Sequence, residues 1–397
     1  MKLAARVGRI APSPTLAMAA TAKAMAAQGI DVIDFSTGEP DFDTPEPVKA
    51  AAEAAIRAGF TKYTPSSGID ELRSAIVDKL QREQGLRYEK AQVLVSCGAK
   101  HSLYNLAEAL LEEGDEIIIP TPYWVSYSDQ ALLNDATAVL LPTNEADGYA
   151  IHPAQLERLI TPRTKALIVN SPCNPTGATY GRSMLEDIAA VAVRHDLLVV
   201  SDEIYEKVLY DGGKHVSIAT LGPDIAARTV IINGVSKAYA MTGWRIGYAA
   251  GPRDLITAMA NIQSQSTSNP CSISQKAAVA ALHQGEPFTL KMVEEFDRRR
   301  RAIVAGLNSI PGISCRMPSG AFYAFPNIKA LLGRRTPHHV LSSPTDLANY
   351  LLNDAHIAVV PGEPFGSREH IRLSYATSMD TIDRGLARLR TALAKLN

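Results

Sequence analysis

Short apolar runs that alternate with helical stretches are the feature that most constrains how this chain can fold. Between about residues 90 and 285 these runs are VLV at 93–95, EIII at 116–119, ALIV at 166–169, LLVV at 197–200 and TVII at 229–232. Uninterrupted apolar runs of this length are typical of strands that are buried on both faces, and their alternation with helices is typical of a mostly parallel sheet. The sequence therefore predicts an α/β fold with helices on both faces of the sheet.

The last third of the chain has a different pattern. RRRRAIVAGL at 298–307 predicts a charged helix, and GAFYAF at 320–325 and HIRLSYA at 370–376 predict short strands. The second of these strands alternates strictly along its length, which is typical of an antiparallel sheet with one face exposed. This part of the chain is therefore expected to form a smaller α+β unit.

The length of the chain predicts two domains, because 397 residues exceed the usual size of one hydrophobic core. We place the large domain at 36–285, where the alternation of strands and helices lies, and the small domain at 286–397. Residues 1–35 are Ala-rich and helix-like. They are expected to pack with the small domain or with a partner subunit.

Charge, hydropathy and cysteine spacing exclude several classes of function. Lys and Arg total 40 against 41 for Asp and Glu, so the charge gives no reason to expect a nucleic-acid or membrane partner. No apolar stretch reaches the roughly 20 residues of a membrane span and no signal peptide is visible, which predicts a cytoplasmic protein. The four cysteines are widely spaced and no histidine stands at metal-ligand spacing, so neither disulfides nor a metal site is expected.

Chemically unusual residues follow each apolar run. They are SCGAK at 96–100, YW at 123–124, NSPCNPTG at 170–177, SDEIY at 201–205, and NGVSK at 233–237 with GWR at 243–245. Taken singly, Asn-Pro-Thr-Gly is an ordinary turn, Asp202 an ordinary helix cap, and Lys237 an ordinary surface charge. Ligands of open parallel sheets bind outside the carboxyl ends of the strands, so together these residues predict one ligand crevice.

The set of groups matches the needs of one cofactor. Pyridoxal phosphate requires a lysine that binds it covalently, an anion opposite its pyridine nitrogen, donors to its ring hydroxyl, a flat side chain over the ring, and phosphate ligands. All of these residue types occur at the predicted strand ends. The sequence therefore predicts an enzyme that uses pyridoxal 5'-phosphate.

A longer motif resembles a known family. SKAYAMTGWRIGYAAGP at 236–252 resembles the lysine signature of class I aminotransferases of fold type I, the aspartate aminotransferase group. Further motifs are similar to that family in the same order: TGEPDFDTP at 37–45, KYTPSSG at 62–68, PYWVSY at 122–127, NSPCNPTG at 170–177, SDEIYE at 201–206 and IRLSYATS at 371–378. The resemblance covers essentially the whole chain. It implies a large domain with a mostly parallel seven-stranded sheet, a smaller α+β domain, and a homodimer with shared active sites.

The resemblance also implies roles around the cofactor ring. Lys237 binds the cofactor covalently and then moves a proton between substrate and cofactor, as a lysine of tuned basicity can. Asp202 faces the pyridine nitrogen and keeps it protonated. Tyr205, one helical turn beyond, and Asn174 donate to the ring hydroxyl. Trp124 stacks on one face of the ring, and Ile204 packs on the other face.

The phosphate group has its own implied ligands. They are the backbone N–H groups of Gly98 and Ala99 at a helix start, the guanidinium of Arg245, and Tyr63 of the partner subunit. Lys100, in the same helix start, is counted among the cofactor contacts as well. One departure from the family pattern is Gly234, where a serine often stands three residues before the lysine. Ser236 is the residue expected to replace that contact.

The substrate is expected to bind through its carboxylates. Arg372 on the predicted strand can hold the α-carboxylate with two parallel hydrogen bonds, assisted by Asn174, Trp124 and the backbone of Gly38. One aspartate aminotransferase subgroup binds the distal carboxylate with an arginine, but the matching position here is Ser264. The other subgroup uses a lysine that matches Lys100. The resemblance adds Thr15 and Ser264 of the partner subunit as helpers.

These assignments favour an L-aspartate:2-oxoglutarate aminotransferase that works by a ping-pong cycle. Some relatives that also accept prephenate carry a basic residue where this chain has Ala11, which disfavours prephenate as a substrate, although Arg9 is near. An aromatic aminotransferase or a C–S lyase on the same fold is a further alternative. A non-catalytic regulator of the same fold usually carries a DNA-binding module, for which this chain has neither the extra length nor the basic charge.

Overall fold

The computed structural model describes residues 1–10, 14–336 and 339–397, and of residues 14–16 it describes only the backbone. Its strands are β1 (Ile33–Asp34), β2 (Val93–Ser96), β3 (Glu116–Thr121), β4 (Thr137–Pro142), β5 (Thr164–Asn170), β6 (Leu198–Asp202), β7 (Thr229–Gly234), β8 (Gly247–Ala250), β9 (Tyr323–Ala324), β10 (Ile357–Ala358), β11 (Val360–Pro361) and β12 (Ile371–Ser374). Its α-helices are α1 (Pro14–Ala27), α2 (Glu46–Arg57), α3 (Asp70–Gln84), α4 (Ala99–Leu110), α5 (Ser126–Leu133), α6 (Pro153–Leu159), α7 (Arg182–Arg194), α8 (Pro223–Ala226), α9 (Arg253–Ser266), α10 (Ser272–Gln284), α11 (Glu286–Asn308), α12 (Pro344–Ala355) and α13 (Met379–Leu393). Short 3₁₀ helices cover Ala5–Arg9, Lys90–Gln92, Glu145–Asp147, Ile218–Leu221, Thr242–Trp244, Lys329–Leu331 and Glu363–Phe365.

Seven of these strands form the central sheet, in the order β2-β8-β7-β6-β5-β3-β4. All are parallel except β8, which runs antiparallel to both β2 and β7. Each of the five apolar runs forms one of these strands, so the predicted mostly parallel sheet is confirmed. The apolar runs did not reveal β4 and β8, because β4 is a partly exposed edge strand and β8 has the sequence GYAA, made mostly of small residues.

Side chains alternate across the central sheet and pack against helices on both faces. Ile117 and Ile119 of β3 pack with Leu103 of α4, whereas Ile118 packs with Ile188 of α7. A third apolar cluster joins α3 and α10 to the end of the sheet that contains β2 and β8. Because helices cover both faces, whole strands are buried, which explains why their sequences are continuously apolar.

The last third of the chain forms a smaller antiparallel sheet in the order β11-β12-β9, packed against α11, α12 and α13. The expectation of an exposed face is wrong, because all four residues of β12 are buried. Ile371 and Leu373 pack into the apolar cluster that these helices form, while Arg372 lines the cavity described below. The alternation in β12 therefore separates an apolar core from a polar cavity rather than from solvent.

The N-terminal part of the chain is tied to this smaller unit. β1 pairs in parallel with β10, and Ile33 and Phe35 lie in the same apolar cluster as Leu389 of α13. This pairing is in keeping with the predicted grouping of the first 35 residues, while the domain boundaries stay a prediction. None of the described helices is long and apolar enough to cross a membrane.

Candidate active site

A cavity of about 340 Å³ opens at the carboxyl edge of the central sheet. Of the residues predicted from the sequence, those that line it are Gly38, Ala99, Lys100, Trp124, Asn174, Asp202, Ile204, Tyr205, Ser236, Lys237, Arg245 and Arg372. Several elements thus meet in one place, namely the ends of β5 and β6, the residues after β7, the start of α4, and residues of β9 and β12. The structure therefore brings most of the predicted set together, although their roles stay predictions.

Lys237 places its ammonium inside this cavity. The residue follows β7, and its Nζ donates a hydrogen bond of 2.7 Å to the carbonyl oxygen of Gly38. No carboxylate among the described side chains forms an ion pair with Nζ. Burial lowers the pKa of Lys237 to about 8, Glu39 opposes this shift, and Arg245 adds to it. Lys237 is therefore partly neutral near pH 8, and the neutral amine is the form that attacks a carbonyl carbon.

Asp202, the last residue of β6, is a buried carboxylate with no cationic partner in the described part of the chain. The Tyr127 hydroxyl donates to its Oδ2 at 2.6 Å, and the backbone N–H of Ile204 donates to Oδ1 at 3.2 Å. Burial raises the pKa of Asp202 to about 6, and these hydrogen bonds oppose the shift. A carboxylate held in this way is suited to facing a protonated ring nitrogen, which would supply the missing positive charge.

The unpaired carboxylate of Asp202 makes stability depend on pH. Its folded-state pKa lies above the ordinary value of 3.8, so the folded chain keeps a proton that the unfolded chain releases between about pH 4 and pH 6. Stability of the cofactor-free protein therefore falls as pH rises through this range. At pH 8, Asp202→Asn is expected to raise the free energy of unfolding of the cofactor-free protein by about 3 kcal/mol, measured by urea denaturation.

This gain should disappear below about pH 4, where the carboxyl group is protonated in both states. Asp187→Asn, which changes an exposed carboxylate on α7, is the matched control and should show no such pH dependence. An equal gain for Asp202→Asn at pH 4 and pH 8 would contradict the argument.

The start of α4 and the guanidinium of Arg245 form a place for an anion. Gly98 precedes α4 with φ of 90°, a conformation that glycine adopts without strain. The first N–H groups of a helix have no acceptor within it, and the helix dipole favours negative charge there. Arg245 lies so close that a Cβ on Gly98 would collide with its Nη2. Together with Asp202 and Lys237, this arrangement fits pyridoxal phosphate, whose phosphate would sit at the helix start.

Gly234 has a structural reason to be glycine. A Cβ there would lie 2.9 Å from Cα of Gly247 and 2.9 Å from the carbonyl oxygen of Ile246, because β7 and β8 approach each other closely. A serine at position 234 therefore has no room. Ser236 is buried and lines the cavity, and its proposed contact with the phosphate stays a prediction.

Arg372 is a buried cation that faces the cavity. It is 2% exposed, and its Nη1 donates to Oδ1 of Asn174 at 3.0 Å while Nη2 donates to the carbonyl oxygen of Ser36 at 2.8 Å. Its guanidinium lies 4.5 Å from the ring centroid of Tyr323 and 5.1 Å from that of Phe365. Within the described residues it forms no ion pair, and its Nε has no hydrogen-bond partner. A guanidinium in this state is suited to binding a carboxylate.

Lys100 is a further cation on the lining. Its Nζ lies 4.9 Å from the ring centroid of Trp124, and it too forms no ion pair within the described side chains. Burial lowers the pKa of Lys100, Arg245 adds to this shift, and Asp129 opposes it. The Trp124 ring is fixed edge-on against Tyr127, with centroids 5.4 Å apart. Lys100 therefore rests on a rigid aromatic surface beside the cavity.

Tyr205 reaches the cavity from a different local structure than the one predicted. The residues after Asp202 form a turn, in which the N–H of Glu206 donates to the carbonyl oxygen of Glu203, and not a helix. The prediction that Tyr205 stands one helical turn beyond Asp202 is therefore wrong, although the side chain lines the cavity. Its hydroxyl oxygen lies 2.7 Å from that of Tyr323 on β9.

Tyr63, Ser264 and Thr15 do not appear on the lining. Tyr63 is 91% exposed, and Ser264 on α9 is exposed and donates to the carbonyl oxygen of Asn261 at 2.7 Å. Thr15 lies in α1, but its side chain is outside the described residues, as is all of Ala11. The family resemblance implies that Tyr63, Thr15 and Ser264 act from the partner subunit, and these assignments stay predictions.

The cavity also contains residues to which the sequence assigned no role, among them Tyr127 and Tyr323. Tyr127 stands three residues after Trp124, a spacing that places two side chains on one side of a helical turn, so PYWVSY did contain a signal. Tyr323 lies in GAFYAF, where the buried Phe322 is its neighbour. Phe322 and Tyr323 are adjacent aromatic residues, and of the two only Tyr323 lines the cavity.

Glu203, Glu206 and His215 form the one group within the described residues whose atoms could hold a metal ion. Lys79 already pairs with Glu206, and Nε2 of His215 lies 2.9 Å from Oε2 of Glu203. Ser217 donates to Glu203 at 2.5 Å. Because both carboxylates already have cationic partners, the group is best described as a buried ion cluster.

Comparisons with known proteins agree with this geometry. The sequence profile of the family described as aminotransferase class I and II matches residues 30–389. An aspartate aminotransferase from Geobacillus stearothermophilus is 50% identical over 392 residues, which are 98% of each chain. An aspartate/prephenate aminotransferase from Nitrosomonas europaea is 47% identical over 99% of this chain and 100% of that one. The crystal structure of an aspartate aminotransferase from Rhizobium meliloti has a TM-score of 0.96 at 47% identity and covers 100% of both chains.

Proposed function

This chain belongs to the class I and II aminotransferases, and from this premise we propose that it transfers the amino group of L-aspartate to 2-oxoglutarate in a ping-pong cycle. Membership makes the protein an aminotransferase that depends on pyridoxal phosphate, as its motifs predicted, and its substrates are small amino and 2-oxo acids. One observation carries the choice of aspartate. Arg372 and Lys100 both line the cavity, and neither pairs with a carboxylate among the described side chains. A dicarboxylic amino acid supplies one carboxylate for each.

The residues divide the chemistry among them. Pyridoxal phosphate, when bound, supplies a carbonyl carbon that takes up the amino group and a ring that accepts electrons from the substrate Cα. Asp202 holds a proton on the pyridine nitrogen, which increases this electron demand. Lys237, with its pKa lowered to about 8, would take the proton from the substrate Cα and hold it for transfer. Proton removal and electron withdrawal are thus assigned to different side chains.

Orientation is the task of the remaining residues. Arg372 binds the α-carboxylate, with Asn174 fixing its guanidinium through the hydrogen bond of 3.0 Å. Trp124 and Ile204 both line the cavity, and we assign them to opposite faces of the cofactor ring. Tyr205 donates to the ring hydroxyl. Holding the reacting carbon near Lys237 in this way lowers the entropic part of the barrier.

The role of Lys100 is testable with different amino donors. Lys100→Ala is expected to raise KM for aspartate by about 10- to 100-fold, because a charge-assisted hydrogen bond contributes about 1.5–3 kcal/mol. KM for alanine and phenylalanine, which have no distal carboxylate, should change less than about threefold. Steady-state kinetics with the three donors gives the comparison. Lys90→Ala, which removes an exposed lysine paired with Asp70, is the control and should change none of the values. Equal increases for all three donors would contradict the assignment.

Prephenate is a second candidate acceptor. The observation that favours it is the relative from Nitrosomonas europaea, whose name gives both aspartate and prephenate. The discriminating measurement adds 2-oxoglutarate or prephenate to the enzyme in the presence of aspartate and compares kcat/KM. Values of kcat/KM for the two acceptors that lie within tenfold of each other would establish both activities. No turnover with prephenate would leave 2-oxoglutarate as the acceptor.

We further infer a homodimer in the cytoplasm. Tyr63 is 91% exposed, which is unusual for an aromatic residue and is explained if its side chain completes the phosphate site of a second copy. Met1 and Leu3 are also large, exposed apolar residues in the N-terminal segment. The four cysteines form no disulfide, as is typical of a reducing compartment. Sedimentation of the purified protein at the mass of one chain would refute the dimer.

A further inference from the structure

Tyr323 contacts two residues of the proposed site and has no role in the proposed function. It lies on β9, is 1% exposed, and lines the cavity. Its hydroxyl oxygen is 2.7 Å from that of Tyr205, and its ring centroid is 4.5 Å from the guanidinium carbon of Arg372. One side chain therefore contacts both the residue proposed to bind the cofactor hydroxyl and the residue proposed to bind the substrate carboxylate.

Gly38 lies close to the Tyr323 hydroxyl. A Cβ on Gly38 would lie 2.7 Å from the Tyr323 oxygen, so only glycine allows this approach. The carbonyl oxygen of Gly38 in turn accepts the hydrogen bond from Lys237. The hydroxyl of Tyr323 thus lies close to both the Gly38 backbone and the Tyr205 hydroxyl.

The surroundings determine which of the two hydroxyls donates. Burial raises the pKa of both phenols. The Arg372 guanidinium partly offsets this effect at Tyr323, because it lowers the pKa of that phenol. The neighbouring Tyr323 instead raises the pKa of Tyr205 further. The phenol closer to a positive charge is the stronger donor. Because the Arg372 guanidinium lies 4.5 Å from the ring centroid of Tyr323, we assign the donor role to Tyr323 and the acceptor role to Tyr205.

We propose that Tyr323 is a positioning residue whose hydroxyl donates to Tyr205, so that the Tyr205 O–H is directed at the ring hydroxyl of the cofactor, and whose ring supports Arg372. This inference rests on the proposed function, in which Tyr205 contacts the cofactor. Hydrogen bonds in such a chain strengthen one another, because each donor that is also an acceptor becomes a better donor. The hydroxyl of this side chain thus acts toward the cofactor, and its ring acts toward the substrate-binding Arg372.

The hydroxyl is tested by Tyr323→Phe in the holoenzyme. Weaker donation to the cofactor ring oxygen leaves more negative charge there, which favours the protonated form of the Lys237 nitrogen beside it. The pH midpoint of the cofactor absorbance change should therefore rise by about half a pH unit. KM for aspartate should stay within about twofold of wild type, because the ring under Arg372 remains. No change in the midpoint would overturn the proposal.

Two controls make the spectroscopic result specific. Tyr350→Phe removes a buried hydroxyl that donates to the carbonyl oxygen of Ala392 at 2.9 Å, and it should leave the midpoint unchanged. Tyr205→Phe should shift the midpoint upward by more than Tyr323→Phe, and the double variant should match Tyr205→Phe alone. Additive shifts would show that Tyr323 does not act through Tyr205. If Tyr205→Phe itself causes no shift, the proposed contact of Tyr205 with the cofactor is wrong. If Tyr205→Phe shifts the midpoint and Tyr323→Phe does not, only the proposed role of Tyr323 is wrong.

The ring is tested by Tyr323→Leu. This variant loses both the hydroxyl and the aromatic surface under Arg372. We expect the same shift in the absorbance midpoint as for Tyr323→Phe, together with a KM that rises about fivefold for aspartate, alanine and phenylalanine alike. If KM rises as much in Tyr323→Phe as in Tyr323→Leu, the hydroxyl and the ring do not have separate roles.

Discussion

Replacing Lys237 with alanine is expected to lower kcat by roughly four orders of magnitude, because the variant lacks the group that moves the proton. The loss should be in kcat more than in cofactor affinity. Asp202, Arg245 and the start of α4 remain in place and can still hold the cofactor. Steady-state kinetics and equilibrium dialysis with pyridoxal phosphate separate the two effects.

Borohydride reduction gives an independent readout of the same residue. In the wild-type protein it should fix the cofactor to the peptide that contains Lys237. Lys100 is the matched control, since it lines the same cavity and its pKa is also lowered by burial. Lys100→Ala should be labelled as fully as wild type. Cofactor found on any peptide without Lys237 would refute the assignment.

Replacing Arg372 with alanine is expected to lower kcat/KM by about 100- to 1,000-fold for aspartate, alanine and phenylalanine alike. Every amino acid has the α-carboxylate that this guanidinium is proposed to bind. The substitution also leaves Oδ1 of Asn174 and the carbonyl oxygen of Ser36 without their donor, which adds to the cost. Kinetics with the three donors measures the effect, and the equal losses contrast with those expected for Lys100→Ala.

Arg301→Ala is the matched control for this experiment. Its side chain is 58% exposed and pairs with Asp211 and Asp297, and it does not line the cavity. The kinetic constants of this variant should equal those of wild type. A loss for Arg372→Ala that is confined to aspartate would mean that Arg372 binds the distal carboxylate instead of the α-carboxylate.

The fold could be predicted from the sequence where a strand is buried on both faces, because the residues of such a strand are continuously apolar. β2, β3, β5, β6 and β7 are covered on both faces, so each appears as a continuous apolar run. β4 at the sheet edge and β8 with its small residues leave no such run, and the apolar pattern did not reveal them. The exposure of β12 was predicted wrongly, because alternation records a change of polarity and does not say whether the polar side faces water or a cavity.

The sequence predicted the site residues that directly follow parallel strands, but it missed features that depend on contacts between distant segments. Asp202 and Lys237 follow buried strands, and the carboxyl ends of parallel strands meet at one edge, so their convergence follows from topology. Tyr323 comes from a separate sheet, and its contact with Tyr205 depends on how two units pack. Gly234 shows the same limit, since the reason for its missing side chain is the approach of β8. Pairings between distant segments leave no periodic pattern in the chain.

The isolated charges around the cavity have a consequence for the amount of this protein in a cell. Asp202, Lys237 and Arg372 are desolvated without partners of opposite charge among the described side chains, so the chain without its cofactor carries an electrostatic penalty. A ligand that binds only the folded state stabilises it in proportion to the logarithm of its free concentration. Copies that lack the cofactor unfold more often and are degraded sooner. The abundance of the enzyme should therefore follow the vitamin B6 supply of the cell.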